Sequence, residues 1–151
     1  MYKKTSHKKR YQRTFSFLKT HISKESKILD LGVENPFSDF LKSEGFKIEN
    51  TNGEDLDEDL SAVLDTDADV ITAFEILEHL LSPYVLLKKI KAKKLLISVP
   101  LKLWFSPAYR SSTDLRDRHY HEFEAWQLDW LLEKTGWTII ASDKWTNPTK
   151  K

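Results

Sequence analysis

One stretch near the N-terminus most restricts the fold that this chain can adopt. It reads KILDLGVENPF over residues 27–37, so that a short apolar run carries Asp30 and stops at Gly32. Asn35 and Pro36 follow, a favoured N-cap and a favoured first helical residue, and they predict that a helix begins there. A strand, a glycine turn and a helix N-terminus in this order form the nucleotide-binding corner of a doubly wound sheet. An ordinary β–α connection with a solvent-facing carboxylate is the alternative, because one glycine does not specify a ligand site.

Strands and helices alternate along the rest of the chain. The strands predicted after the first one cover residues 46–51, 69–75, 94–99 and 137–141. We expect an α/β, Rossmann-like, open and mostly parallel sheet of about five strands with helices on both faces. The strand 28–31 should be central and lie next to the strand 70–74, because ligands bind where strand order reverses.

Two of the predicted helices carry distinct side-chain patterns. The acidic stretch over residues 54–64 places Leu56, Leu60, Val63 and Leu64 on one face, which predicts a short helix whose carboxylates either face water or line the edge of a pocket. The last helix, over about residues 124–135, should place its large apolar residues on an inner face. Those residues are Trp126, Trp130 and Leu131.

The charge of the chain is balanced overall and uneven along its length. Lys and Arg number 24 and Asp and Glu 23, a net charge of +1, which points to neither nucleic acid nor a membrane surface. Six basic residues fall within residues 1–13, where an amphipathic helix is predicted over about 8–22. They form either a nucleic-acid-binding arm or a solvated helix end. The absence of Cys excludes disulfides and thiolate metal sites, and no apolar run is long enough for a membrane span. We expect a cytoplasmic protein.

Four segments in this order resemble the class I methyltransferases that use S-adenosylmethionine, especially their small domain 11/23 type. The segments are ILDLG (28–32), DVITAFEILEHLLSP (69–83), LLISVP (95–100) and HEFEAWQLDWLLEKTGW (121–137). The resemblance implies a trimmed class I methyltransferase fold over residues 23–151, preceded by a basic helix at 1–22. The G-x-G-x-G motif of the family is replaced here by GVENP, residues 32–36, which lacks two of the glycines.

The resemblance implies S-adenosylmethionine as the cofactor and assigns residues to it. Asp30 would accept a direct or water-mediated bond from the amino group of the cofactor, and Gly32 would let the backbone pass beside it. The acid that binds the ribose in the family has no clean match in this chain, and Asn52 is the residue nearest to its position. Asp55 is the adenine candidate, with Leu56 as its apolar cover. The cofactor-binding candidates are Asp30, Leu31, Gly32, Val33, Asn52, Asp55, Leu56, Glu75, Ile76 and Leu77.

The methyl acceptor is expected beside an irregular stretch, residues 101–120, which is rich in aromatic residues and Arg. The candidates for binding the acceptor are Trp104, Tyr109, Arg110 and His121. His119 is the candidate general base, which the reaction needs only if the acceptor must lose a proton. The run His119-x-His121-Glu122 could also be interpreted as a metal cluster. No further ligand is evident, and we expect no metal.

Three functions are compatible with these features. The first is a methyltransferase that moves a methyl group from S-adenosylmethionine to a small-molecule or lipid-type acceptor, and this is our expectation. The second is a methyltransferase-like binding or regulatory module with weak or no cofactor affinity, which the altered glycine motif would permit. The third is a nucleic-acid methyltransferase that uses the basic N-terminal arm, which the near-zero net charge disfavours.

Overall fold

The computed structural model describes residues 2–102 and 114–146, without the side chains of residues 2–7 and 116. The helices are α1 (Tyr2–His21), α2 (Pro36–Ser43), α3 (Ser61–Asp65), α4 (Pro83–Lys89) and α5 (Ala125–Lys134). The strands are β1 (Lys27–Asp30), β2 (Lys47–Asn50), β3 (Val70–Phe74) and β4 (Lys94–Ser98). Single 3-10 turns cover Leu77–His79 and Leu115–Asp117.

The four strands form one sheet, in the order β2-β1-β3-β4, with parallel pairing throughout. Leu29 of β1 is in register with Glu49 of β2 on one side and with Ile71 of β3 on the other. The Rossmann-like α/β fold and the central position of β1 beside β3 are therefore confirmed. The strand order reverses between β1 and β3, so any ligand crevice should lie at their carboxyl ends.

Helices cover both faces of the sheet. Successive residues of each strand point to opposite faces, so each strand contributes apolar side chains to both. Leu29 and Ile71 face a first apolar cluster, into which α3, α4 and α5 pack. Ile28 and Val70 face a second cluster, which is formed with α1 and α2. Leu18 of α1 is fully buried in this second cluster, so the N-terminal helix is part of the core.

The predicted fifth strand over residues 137–141 is wrong. These residues form no strand, and β4 has no strand partner other than β3 within the part of the chain that the structure describes. The chain leaves α5 at Gly136, where Trp137 Nε1 donates to the Leu87 carbonyl oxygen (3.1 Å). It then runs to α1, where the Arg13 guanidinium lies over the ring of Trp145. These contacts with α4 and α1, rather than pairing with β4, hold the segment, so tertiary contacts override its β propensity.

The predicted inner face of α5 is correct for Leu131, which packs against the first apolar cluster, and wrong for the two tryptophans. Leu132 is buried and Leu128 packs beside it, whereas Trp126 and Trp130 are 48% and 64% exposed. The two indole rings contact each other edge to face instead, with centroids 4.9 Å apart.

The acidic stretch contains a shorter helix than predicted, because α3 spans only Ser61–Asp65. Asp57 lies in the preceding turn and accepts hydrogen bonds from the backbone amides of Leu81 and Ser82, both at 2.8 Å. Asp57 therefore holds the backbone just before α4, whose N-cap residue Ser82 makes no capping hydrogen bond with its side chain. None of the described helices is long and apolar enough to cross a bilayer.

Candidate active site

Asp30 lies at the carboxyl end of β1 and links three strands. Thr72 on β3 donates a hydrogen bond from Oγ1 to Asp30 Oδ1 (2.6 Å). Asn50, the last residue of β2, donates from Nδ2 to Asp30 Oδ2 (3.0 Å) and lies 3.2 Å from the Gly32 carbonyl oxygen. The other amide atom of Asn50, Oδ1, is buried and has no hydrogen-bond partner among the described residues.

Burial controls the protonation of Asp30. Loss of water raises the pKa of this carboxyl to about 6, and the hydrogen bonds from Thr72 and Asn50 offset only part of that effect. A cationic group that came close to Asp30 would favour its ionised form. The site therefore has a buried carboxylate that would gain from a positively charged partner.

Gly32 begins the turn between β1 and α2 in a conformation that favours glycine, with φ at +123°. Its amide donates to Thr51 Oγ1 (2.7 Å), which ties the turn to the end of β2. A Cβ atom at this position would lie 3.6 Å from Ile76 Cδ1, so a side chain there would project into the gap between the ends of β1 and β3. Val33 is 55% exposed, and a Cβ atom added to Gly53 would lie only 2.9 Å from Val33 Cγ1.

The N-terminus of α2 is capped by the protein itself. Asn35 Oδ1 accepts hydrogen bonds from the amides of Phe37 and Ser38, both at 3.0 Å, and Ser38 Oγ accepts one from the Asn35 amide (2.9 Å). This reciprocal capping box uses amides that a phosphate would need at a helix N-terminus. The corner is thus poorly suited to a dinucleotide, whose pyrophosphate binds at that position.

Glu75 follows β3 with a φ of +56°, an uncommon conformation for a residue with a side chain. Its Oε1 atom lies 3.6 Å from Arg10 Nη1 on α1, and its Oε2 atom is buried without a hydrogen-bond partner among the described residues. Burial raises the pKa of the Glu75 carboxyl, and the Arg10 charge acts in the opposite direction. Backbone strain of this kind is concentrated at functional sites.

A buried acid and two histidines lie just beyond Glu75. Glu78 is 1% exposed, and its Oε1 atom is 3.6 Å from His79 Nε2. The rings of His79 and His119 meet edge to face, with centroids 4.6 Å apart. Burial, followed by the charge of Glu75, raises the pKa of Glu78 to about 8. Burial and the neighbouring His79 lower the pKa of His119.

Comparison with known proteins identifies the family of the chain. The methyltransferase-domain family matches residues 4–142, which include the β1–α2 corner and the acid-ended strand β3. The chain belongs to this family. It is a class I methyltransferase domain, as the sequence resemblance indicated. No curated protein and no solved structure matches the chain.

The methyltransferase domain buries three of the predicted cofactor residues. The side chains of Leu31, Leu56 and Leu77 lie in the first apolar cluster, so only their backbones could contact a ligand. Asn52 is exposed and lines an open depression of about 580 Å³ over residues 52–65. Asp55 is exposed as well, and its carboxylate accepts a hydrogen bond from the Asp57 amide within its own turn.

The predicted acceptor-binding residues are described only in part. His121 Nε2 lies 3.1 Å from the Leu81 carbonyl oxygen, and its ring stacks on Phe123, so this histidine anchors the segment that precedes α5. Trp104, Tyr109 and Arg110, and most of the irregular stretch 101–120, lie outside the described residues.

Sequence reasoning missed Asn50, Thr72 and Glu78 as site residues. Asn50 ends an alternating strand, so its position at the edge of the ligand crevice could have been read from the strand boundary. Thr72 is the polar residue in the apolar run VITAF, and it faces the same side as Asp30. Glu78 is buried by the 3-10 turn that follows β3, which no periodic pattern signals.

Proposed function

We propose that this methyltransferase domain binds S-adenosylmethionine at the carboxyl ends of β1 and β3 and transfers its methyl group to a small-molecule or lipid-type acceptor. The observation that carries the proposal is the arrangement at the reversal of strand order. A strained Glu75, a glycine with positive φ at Gly32 and the buried carboxylate of Asp30 meet there. The family match points to the same reaction class.

The polar atoms of the crevice suit the chemistry of this cofactor. Asn50 Oδ1 and Glu75 Oε2 are buried acceptors without donors among the described residues, and the cofactor carries donors in its ammonium, ribose and adenine groups. Asp30 could accept from the ammonium, whose charge would favour the ionised carboxylate. Asn50 becomes a candidate for the ribose contact, in addition to the predicted Asn52. The cofactor has no phosphate, which fits the occupied capping amides of α2.

In this reaction the protein mainly has to position the cofactor and the acceptor and to exclude water. S-adenosylmethionine, when bound, supplies a methyl group on a sulfonium. The new bond to the acceptor atom forms as the carbon–sulfur bond breaks, and the electron pair of that bond stays on sulfur. An acceptor that must lose a proton needs a base, and His119 is the proposed group, since burial and the neighbouring His79 lower its pKa and so favour the neutral imidazole.

Support for a small-molecule or lipid-type acceptor comes from the overall charge. A nucleic-acid substrate calls for a basic surface, and the chain has a net charge of only +1. Arg10 of α1, a cation at the carboxyl end of β3, forms an ion pair with Glu75 (3.6 Å).

Calorimetric titration with S-adenosylmethionine and with its demethylated product tests the proposal, using the wild type, Gly32→Val and Gly136→Val. Gly136 is the matched control, because its φ is also positive (+97°) and no atom lies within 4 Å of a Cβ added there. We expect wild-type and Gly136→Val proteins to bind, and Gly32→Val to bind at least about tenfold more weakly, since a side chain would enter the gap beside Ile76.

Equal affinity in all three proteins would place the cofactor elsewhere. Absence of binding to the wild type would instead leave a methyltransferase-like module without a cofactor.

A further inference from the structure

The buried carboxyl of Glu78 lacks a partner that the fold would normally provide. Its Oε2 atom is buried and receives no hydrogen bond from the described residues, and the charge of Glu75, which is also an acid, opposes its ionisation. A buried carboxylate is costly unless it is paired, hydrogen-bonded or bound to a metal. The role of Glu78 is therefore inferred from the side chains that surround it.

Two imidazoles approach this carboxyl. One ligand atom each from Glu78, His79 and His119 lies within 4.8 Å of the others. The Nδ1 atom of His79 is 3.1 Å from the Arg118 carbonyl oxygen, a contact in which the ring nitrogen must donate. The lone pair of this imidazole is therefore on Nε2, which faces Glu78. A backbone carbonyl that fixes the tautomer in this way is the usual second partner of a metal-bound histidine.

The segment that carries His119 is held against the 3-10 turn by its backbone. The amides of Tyr120 and His121 both donate to the Glu78 carbonyl oxygen, at 2.8 and 3.3 Å. His119 is thus brought to the cluster although it lies 40 residues along the chain from His79. The three groups are positioned by the fold rather than by chance contact of long surface side chains.

We propose that Glu78, His79 and His119 bind a divalent transition-metal ion at the carboxyl end of β3. One carboxylate and two imidazoles favour ions such as Mn²⁺, Fe²⁺, Co²⁺ or Zn²⁺ over Ca²⁺, which takes oxygen ligands. Bonds of about 2.1 Å place ligand atoms about 3 Å apart, so binding would draw the three side chains together. This cluster differs from the one considered and set aside in the sequence, His119, His121 and Glu122, because His121 turns to the Leu81 carbonyl oxygen. The expectation from sequence was that the chain has no metal site.

Binding of the ion does not depend on the cofactor, whereas its use in the reaction rests on the proposed function. Three protein ligands leave coordination positions for an oxygen atom of the acceptor, and a metal-bound hydroxyl loses its proton more readily. His119→Ala would slow methyl transfer whether His119 is a base or a ligand. Metal binding measured without cofactor separates these two roles.

The test is a titration of the purified chain with Mn²⁺ alone, in which the free ion is followed by electron paramagnetic resonance. The proteins compared are the wild type, Glu78→Gln, His119→Ala and the control His21→Ala, which removes a histidine of α1 that contacts Phe17 and lies outside the cluster. Exposed carboxylates of the stretch 54–69 contribute the same background to all four. We expect one Mn²⁺ per chain in the wild type and His21→Ala, and at least about tenfold weaker binding in the other two.

Three results would overturn the proposal: no saturable binding below millimolar Mn²⁺, equal binding in all four proteins, or a loss in His21→Ala as large as in His119→Ala. Circular dichroism checks the fold of each variant. If Glu78→Gln does not fold, Mn²⁺ binding by His119→Ala provides the test, because His119 is half-buried and its replacement leaves the core intact.

Discussion

At the scale of single residues, the crevice combines buried acids that would be costly in an ordinary β–α connection. Asp30 joins β1, β2 and β3 through Thr72 and Asn50, yet burial still raises its pKa to about 6. An apolar residue at this position would remove that cost. A positively charged ligand, such as the proposed cofactor, would offset the cost of this buried acid.

Asp30→Asn provides a test through the pH dependence of stability. The folded pKa of about 6 lies above the ordinary value of 3.8, so the folded state holds the proton more tightly than the unfolded state. The carboxyl therefore lowers stability progressively as pH rises from about 4 to 6, by up to about 3 kcal/mol at pH 7.

The Asn side chain does not titrate, and its amide can donate to Asn50 Oδ1 if that amide rotates. We expect the free energy of unfolding of Asp30→Asn, relative to wild type, to rise by up to about 3 kcal/mol between pH 4 and pH 7. Urea unfolding of both proteins across this range measures the difference. Parallel curves would show that Asp30 titrates normally in the fold. Glu75 and Glu78 are common to both proteins and cancel in the comparison.

At the scale of elements, the parts of the fold that local patterns encode were predicted, and those set by long-range contacts were not. The strands β1 to β4 are short apolar or alternating runs bounded by turn residues, and the start of α2 is encoded by Asn35 and Pro36. The segment 137–141 has the composition of a strand, but contacts with α4 and α1 fix its path.

The same division holds for the candidate site. Asp30 and Gly32 stand in a recognisable motif, and the structure places them at the predicted edge of the sheet. The cluster of Glu78, His79 and His119 joins segments distant in sequence, so only the folded chain brings it together. Asn50 was missed for a different reason, since the predicted strand ran past it to Thr51.

The N-terminal helix offers a prediction at this scale. Leu18 of α1 is fully buried against the second apolar cluster, and Tyr11 stacks on Phe37 of α2 with ring centroids 4.8 Å apart. Leu18→Ala should lower the free energy of unfolding by about 2–5 kcal/mol, because it leaves a cavity in the core. Ile140→Ala is the control, since Ile140 is 80% exposed and its loss should cost less than about 0.5 kcal/mol. A small effect in both variants, measured by urea unfolding, would mean that α1 is a separate appendage.

At the scale of the whole molecule, the domain keeps the central strands of a class I methyltransferase with a sheet of four described strands. The features proposed for catalysis all lie at one edge, the carboxyl ends of the strands. Arg10 reaches that edge from α1, near the start of the chain. The segment before α5 reaches it from a later part of the chain. The N-terminal helix and the residues that precede α5 therefore frame the same crevice.

The most direct measurement of the central claim is a map of amide chemical shifts in the ¹⁵N-labelled chain, titrated with the demethylated cofactor product. The account predicts that the largest changes occur at Gly32, Thr51 and Glu75, which surround the ends of β1, β2 and β3. Changes confined to the open depression over residues 52–65, or no changes at saturating ligand, would contradict it.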